Sequence, residues 1–214
     1  MPHIVLLGDS TFDNRAYTSG ERDVVSHLRG RLPEDWEATL LAVDGSTIAN
    51  VPSQLTRLPA AATHLVVSVG GNDALMNSDV LSVRVPSVAG ALGALGERVE
   101  PFERAYCAML DRLAALPPQV ALCTIYNGRL EGDLAGAARL ALTLFNDVIL
   151  RAAAERGLAV VDLRLVCNEP ADYANPIEPS GRGGLKIARA VLRAVGAIPG
   201  LTHGRLIGGD TRSP

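Results

Sequence analysis

Four short stretches gather the side chains that could do covalent chemistry: Gly8-Asp9-Ser10-Thr11, Asp44-Gly45-Ser46-Thr47, Gly70-Gly71-Asn72-Asp73, and a segment from Asn175 through Glu178 to Ser180. Singly, each reads as turn and helix-cap chemistry, because glycine tolerates positive φ and short polar side chains cap backbone amides. Together they offer a hydroxyl, backbone N–H groups freed by glycine, a side-chain amide and a carboxylate. Brought to one point, the hydroxyl and the amides would make a serine nucleophile with an oxyanion hole, and the chemistry would be acyl transfer. Glu178 has two readings at this level. It is either the proton acceptor of such a site or an inert anion favoured by the dipole of the helix that follows it.

Convergence requires elements that deliver these residues to the same place. Near-continuous apolar runs at 3–7, 36–43, 63–69, 119–125 and 158–163 read as strands covered on both faces, and the chain between them is long enough for crossover helices. Helices are expected at about 21–31, 87–116, 135–156 and 182–195, with long loops at 71–86 and 164–180. The pattern predicts an α/β protein, a three-layer α/β/α sandwich around a parallel five-stranded sheet of flavodoxin-like type. Ligands of such sheets bind beyond the carboxyl ends of the strands, which is where the four stretches fall. The fourth strand ends in Tyr126-Asn127-Gly128, suggestive only of a turn.

At 214 residues one domain is expected, spanning 1–200, with a Gly- and Pro-bearing tail at 201–214. A net charge of −3 gives no electrostatic footprint for nucleic acid or an anionic membrane, and no run of apolar residues is long enough to span a bilayer. The first residues carry no basic leader, so the expected compartment is the cytoplasm. Cys107, Cys123 and Cys167 are too far apart for a zinc or redox motif, so neither a metal nor another cofactor is expected. The expected partner is a small-molecule ester; composition sets no oligomeric state.

The ordered blocks Gly8-Asp9-Ser10, Gly45 and Gly70-Gly71-Asn72-Asp73 resemble those of the SGNH (GDSL-type) hydrolase superfamily over about residues 4–195. The resemblance implies that Ser10 is the nucleophile and that the Ser10 N–H, the Gly45 N–H and the Asn72 side-chain amide stabilise the oxyanion. It also implies a three-layer fold that needs no cofactor. Ser10 does not stand in G-x-S-x-G, so the nucleophile elbow of α/β-hydrolases is absent.

The family's fourth block, D-x-x-H, aligns on Asn175-Pro176-Ile177-Glu178, putting Glu178 where the catalytic histidine belongs and Asn175 where its orienting aspartate belongs. The two departures fit one another, since Asn could donate its amide N–H to the Glu carboxylate. A reference Glu is about two pK units less basic than His, so a weaker base and activity persisting into mildly acid pH are expected. Asp172 in the same loop is another candidate base, and His203 in the tail would have to fold back across the domain. The alternative to a working esterase is a family member of little activity that binds an acyl or sugar ligand.

Overall fold

The computed structural model describes residues 1–198, so the tail at 201–214 and His203 lie outside the described residues. Five strands, β1 (His3–Gly8), β2 (Glu37–Leu40), β3 (His64–Ser68), β4 (Gln119–Cys123) and β5 (Ala159–Val161), form one sheet in the order β2-β1-β3-β4-β5, every pair parallel. Seven α-helices accompany them: α1 (Val24–Arg29), α2 (Val51–Leu55), α3 (Gly71–Met76), α4 (Val88–Ala114), α5 (Ala135–Glu155), α6 (Leu163–Val166) and α7 (Gly181–Ala194).

The strand sequences are apolar throughout because both faces are covered. Ile4, Leu6, Val66, Ala121 and Val161 point to one side, against Val24 and Leu28 of α1 and Ile187, Val191 and Leu192 of α7. Val5, Leu7, Leu65, Val67 and Leu122 point to the other, against Phe102, Tyr106, Leu110 and Leu113 of α4 and Phe145 and Ile149 of α5. The period-two alternation of a strand thus sorts residues between two cores that are equally apolar. These are the three layers expected from the sequence.

Three strands end two or more residues sooner than the apolar runs suggest, each for a visible reason. β2 stops at Leu40 because the next two N–H groups, of Leu41 and Ala42, both donate to the Leu6 carbonyl at 2.9 Å. Beyond β4, the buried Asn146 side chain takes both backbone groups of Ile125, accepting from its N–H at 2.7 Å and donating to its carbonyl at 2.8 Å. β5 gives way at Asp162, whose carboxylate caps α6 through the Arg164 N–H at 3.1 Å. The loop expected at 71–86 is largely helical, with α3 followed by a 3₁₀ turn over Ser78–Ser82. The loop expected at 164–180 likewise holds most of α6 and a 3₁₀ turn at Pro170–Asp172. The first expected helix starts at Val24 rather than 21, because Asp23 caps it by accepting from the Ser26 N–H at 2.8 Å.

Sheet order reverses between β1, which leads out to β2, and β3, which leads on to β4 and β5. That switch point opens a crevice at the carboxyl ends of β1 and β3. Gly8 closes β1 at the edge of this crevice with φ of +125°, and a Cβ there would stand 1.7 Å from the Ser68 carbonyl oxygen. Gly8→Ala is therefore expected to lower stability by at least about 3 kcal/mol, through strained backbone plus forced separation of β1 from β3. Urea unfolding against wild type measures it; a loss below 1 kcal/mol would show the turn to be pliant.

Candidate active site

Ser10 follows directly on that turn, 7% exposed. The turn is held from three sides. Asp9 donates its N–H to the Ser68 carbonyl at 3.1 Å, tying it to β3. The Asp9 carboxylate accepts the Thr11 N–H at 3.0 Å. From α2 the buried Gln54 amide grips both backbone groups of Gly8, accepting from its N–H at 2.8 Å and donating to its carbonyl at 2.7 Å. Gln54 escaped the sequence reading because nothing local marks it: its partner lies 46 residues away.

Glu178 arrives from the loop between the 3₁₀ turn at Pro170–Asp172 and α7. This loop is a small antiparallel hairpin, with a bridge between Tyr173 and Pro179 and an Ala174 N–H to Glu178 carbonyl bond of 2.9 Å. The chain after β4 fastens it from outside: Tyr126 donates its hydroxyl to the Ile177 carbonyl at 2.6 Å and Arg129 its N–H to the Pro176 carbonyl at 2.8 Å. Asn14, fully buried, donates to the Pro179 carbonyl at 3.1 Å and accepts the Val24 N–H at 3.0 Å. Gly183 lets α7 start against this loop, since a Cβ there would meet the Asp172 carbonyl oxygen at 2.1 Å. The outcome is a direct contact across 168 residues of sequence: the Ser10 hydroxyl donates to Glu178 Oε1 at 3.1 Å.

Asn175 does not act as the pairing argument expected. Its Oδ1 accepts the backbone N–H groups of Ile177 and Glu178, both at 2.9 Å, and so shapes the turn. The carboxylate receives no amide donor from it, and Glu178 Oε2 is buried without a hydrogen-bond partner. Position 175 therefore sets the path of the backbone into residue 178.

This changes the electrostatics. Glu178 is 6% exposed, and burial first, then the nearby charges of Asp44 and Asp9, push its pKa up to about 7 against a lowering by the Ser10 hydrogen bond. Burial likewise pushes Asp9 up to about 6, opposed by the Thr11 hydrogen bonds and reinforced by Asp73. The weaker base expected from a reference Glu is thus corrected: desolvation brings this carboxylate into the range of an unperturbed histidine.

Asn72, on the first turn of α3, donates one amide hydrogen to the Ser46 carbonyl at 2.9 Å, and its second remains for another acceptor. Ser10, Asn72 and Glu178 all line one cavity of about 150 Å³; Gly45, in a turn with φ of +75°, lies outside that lining. Asp172 is not a base for Ser10. It is fully buried, with its carboxylate against Lys186 at 2.8 Å and Arg182 at 3.5 Å.

Each described histidine is engaged elsewhere. His3 is buried at the start of β1 beside Thr39 at 2.8 Å, and His64 stacks on Trp36 with ring centroids 5.3 Å apart. His27, on α1, is lowered in pKa chiefly by burial.

A parallel five-stranded sheet, with a serine at the end of its first strand and polar side chains converging at the switch point, defines a three-layer α/β/α protein with a candidate serine site at that point. Residues 6–183 match the GDSL-like Lipase/Acylhydrolase family, and the chain belongs to it. None of the curated proteins matches the sequence. Among solved structures, a phospholipase A1 from Streptomyces albidoflavus NA297 superposes with a TM-score of 0.67 at 16% identity, covering 90% of this chain and 98% of that one. A catalytic mutant of an acetylxylan esterase from Geobacillus stearothermophilus gives a TM-score of 0.68 at 18% identity, covering 91% and 94%. An extracellular lipase from Streptomyces rimosus gives 0.63 at 18%, covering 91% and 100%. At these identities the likeness is one of fold. Among the described residues no helix is long and apolar enough to cross a membrane.

The raised pKa has a stability consequence with a definite sign. In the unfolded chain Glu178 ionises near 4.5, the ordinary value for a glutamate, whereas in the fold it resists ionisation up to about 7. The cost of carrying its charge therefore accumulates between these values and is complete above the upper one. Glu178→Gln should be more stable than wild type at pH 8, on the order of 1–3 kcal/mol, with the advantage shrinking as pH falls toward 4.5. Denaturant melts of both proteins across this range test it; a difference independent of pH would mean that the carboxylate is not desolvated.

Proposed function

We propose that this GDSL-family hydrolase cleaves carboxylic esters of small soluble substrates through an acyl-Ser10 intermediate, with Glu178 as the general base. The observation that carries the reading is the Ser10 hydroxyl donating to Glu178 Oε1 at 3.1 Å, from a carboxylate whose pKa burial has raised to about 7. A base near neutrality is at once substantially ionised and strong enough to draw a hydroxyl proton. The lipase, phospholipase A1 and acetylxylan esterase with the same fold all act on ester bonds, which supports the substrate class.

Ser10 Oγ attacks the ester carbonyl carbon while its proton passes to Glu178. The negative charge leaves the desolvated carboxylate and appears on the substrate oxygen, where the Ser10 N–H and the free hydrogen of the Asn72 amide, both on the cavity lining, donate to it, whereas Gly45 lies outside that lining. Collapse breaks the bond to the alcohol, which takes the proton from Glu178. Water then attacks the acyl-enzyme, Glu178 accepting its proton and returning it to Ser10 Oγ. A histidine would become a cation beside the oxyanion; Glu178 becomes neutral instead, and its discharge relieves repulsion with Asp44 and Asp9. Asn175 would assist by fixing the backbone of Glu178 rather than its carboxylate.

Hydrolysis of p-nitrophenyl acetate and butyrate by wild type, Ser10→Ala and Glu178→Gln tests the reading. Both variants should lose about 10²–10⁴ in kcat/KM. If wild type is no faster than Ser10→Ala, the hydrolase assignment falls and a ligand-binding role replaces it.

The pH profile is a separate test. Because the ionised form is the base, kcat/KM should fall as pH drops through about 7, instead of persisting into acid as a reference Glu would allow. A midpoint between 4 and 5 would mean that Glu178 is not desolvated in solution.

A further inference from the structure

The cavity beside Ser10 is more selective than the proposed reaction requires. It is a partly open cavity of about 150 Å³ that runs from the catalytic residues between the 3₁₀ turn after α3 and the start of α5. Leu75, Val80 and Leu81 wall it on one side and Ala138, Leu142 and Phe145 on the other. Phe145 is 4% exposed and set edge-on to Phe102 at 4.9 Å, so this wall is rigid. Among the described residues the charged groups lining the cavity are Asp9 and Glu178, both belonging to the Ser10 neighbourhood, and no Lys or Arg lines it. An anionic tail has no counter-charge there, while a hydrocarbon chain meets apolar walls over most of its length.

We infer that this cavity is an acyl site, making the enzyme selective for uncharged acyl chains of about six carbons rather than for acetyl groups. The inference rests on the serine-hydrolase reading for its chemistry. The chain length follows from size: a dry apolar cavity of about 150 Å³ accommodates a benzene ring, which also has six carbons. Orientation follows from polarity. The alcohol must leave past Glu178, which protonates it; of the two charges felt there, Asp9 lies at the cavity's catalytic end and Asp44 is exposed, bonded to the Tyr17 hydroxyl at 2.7 Å. Neither Asp44 nor Tyr17 lines the cavity. The polar, open side takes the alcohol and the apolar cavity takes the acyl chain. Ala138 and Leu142 set the capacity, the first by being small and the second by its bulk.

The test is a p-nitrophenyl ester series from acetate to decanoate with wild type, Ala138→Leu and Leu142→Ala, together with the isomeric pair ethyl hexanoate and hexyl acetate. Specificity should rise about fourfold per methylene, to about 10²-fold between acetate and hexanoate, and stop rising beyond six carbons. Ala138→Leu should cut the hexanoate-to-acetate ratio at least tenfold, and Leu142→Ala should move the optimum to longer chains. Ethyl hexanoate should be the better of the isomers. Calorimetric titration with hexanamide reads the cavity without catalysis, with binding weakened about tenfold by Ala138→Leu.

If acetate is the best ester and hexanamide does not bind, the acyl site is overturned while the hydrolase reading stands. If no ester is turned over above Ser10→Ala but hexanamide binds and Ala138→Leu weakens it, the hydrolase reading falls and the acyl site survives. Preference for hexyl acetate would overturn the orientation and with it the assignment of the cavity to the acyl chain.

Discussion

A carboxylate held out of water with only half of its hydrogen-bonding capacity met is the constraint on which this site turns. Glu178 has one oxygen on the Ser10 hydroxyl and the other without a partner. Such a group is costly to bury charged, and the cost is expressed as a pKa raised to about 7. The strain is useful because the proton that would relieve it sits on the neighbouring hydroxyl. An orienting group that donated to the carboxylate would hold the charge in place and weaken the base. Asn175 instead turns its amide oxygen to two backbone N–H groups and donates nothing to the carboxylate.

A buried charge in an irregular loop needs a backbone that cannot retreat. The surrounding structure supplies it through side chains that bond to main chain: Tyr126 to Ile177, Asn14 to Pro179, and Gln54 to both groups of Gly8. Each reaches across from a different part of the fold, so the serine and its base are fixed relative to the sheet and not merely to their own loops. Desolvation costs that would otherwise open the site are met by packing on both faces of the sheet, where large apolar residues of four helices lie against the strands.

On the proposed reading, this member of the GDSL-like family would run acyl transfer without an imidazole at this position. The proton acceptor need not be a nitrogen base if its surroundings raise its affinity for a proton into the same range. What changes is the charge balance: a negative charge moves from carboxylate to oxyanion, and no cation forms. The work of stabilising the oxyanion then falls more heavily on the hydrogen-bond donors, which places a premium on Asn72, anchored by the Ser46 carbonyl with one hydrogen still free.

The sequence by itself determined the sheet, its three layers and the strand ends at which chemistry would gather, because two-sided burial writes continuous apolar runs and turn residues mark where they stop. The blocks containing Ser10 and Asn72 were legible for the same local reason, whereas the placing of Glu178 at the family's histidine position came from the resemblance alone. Strand ends at Leu40, Cys123 and Val161 were not, since they are cut by long-range bonds to Leu6 and Asn146 and by the Asp162 cap. Nor was the division of labour between Asn175 and Glu178, in which residue types allowed an amide-to-carboxylate pairing and the hairpin geometry chose amide-to-backbone. The basicity of Glu178 was decided only by tertiary structure. A pKa depends on how much water and which charges surround a group, and here those are set by residues up to 169 positions away, brought close by the folding of the sheet.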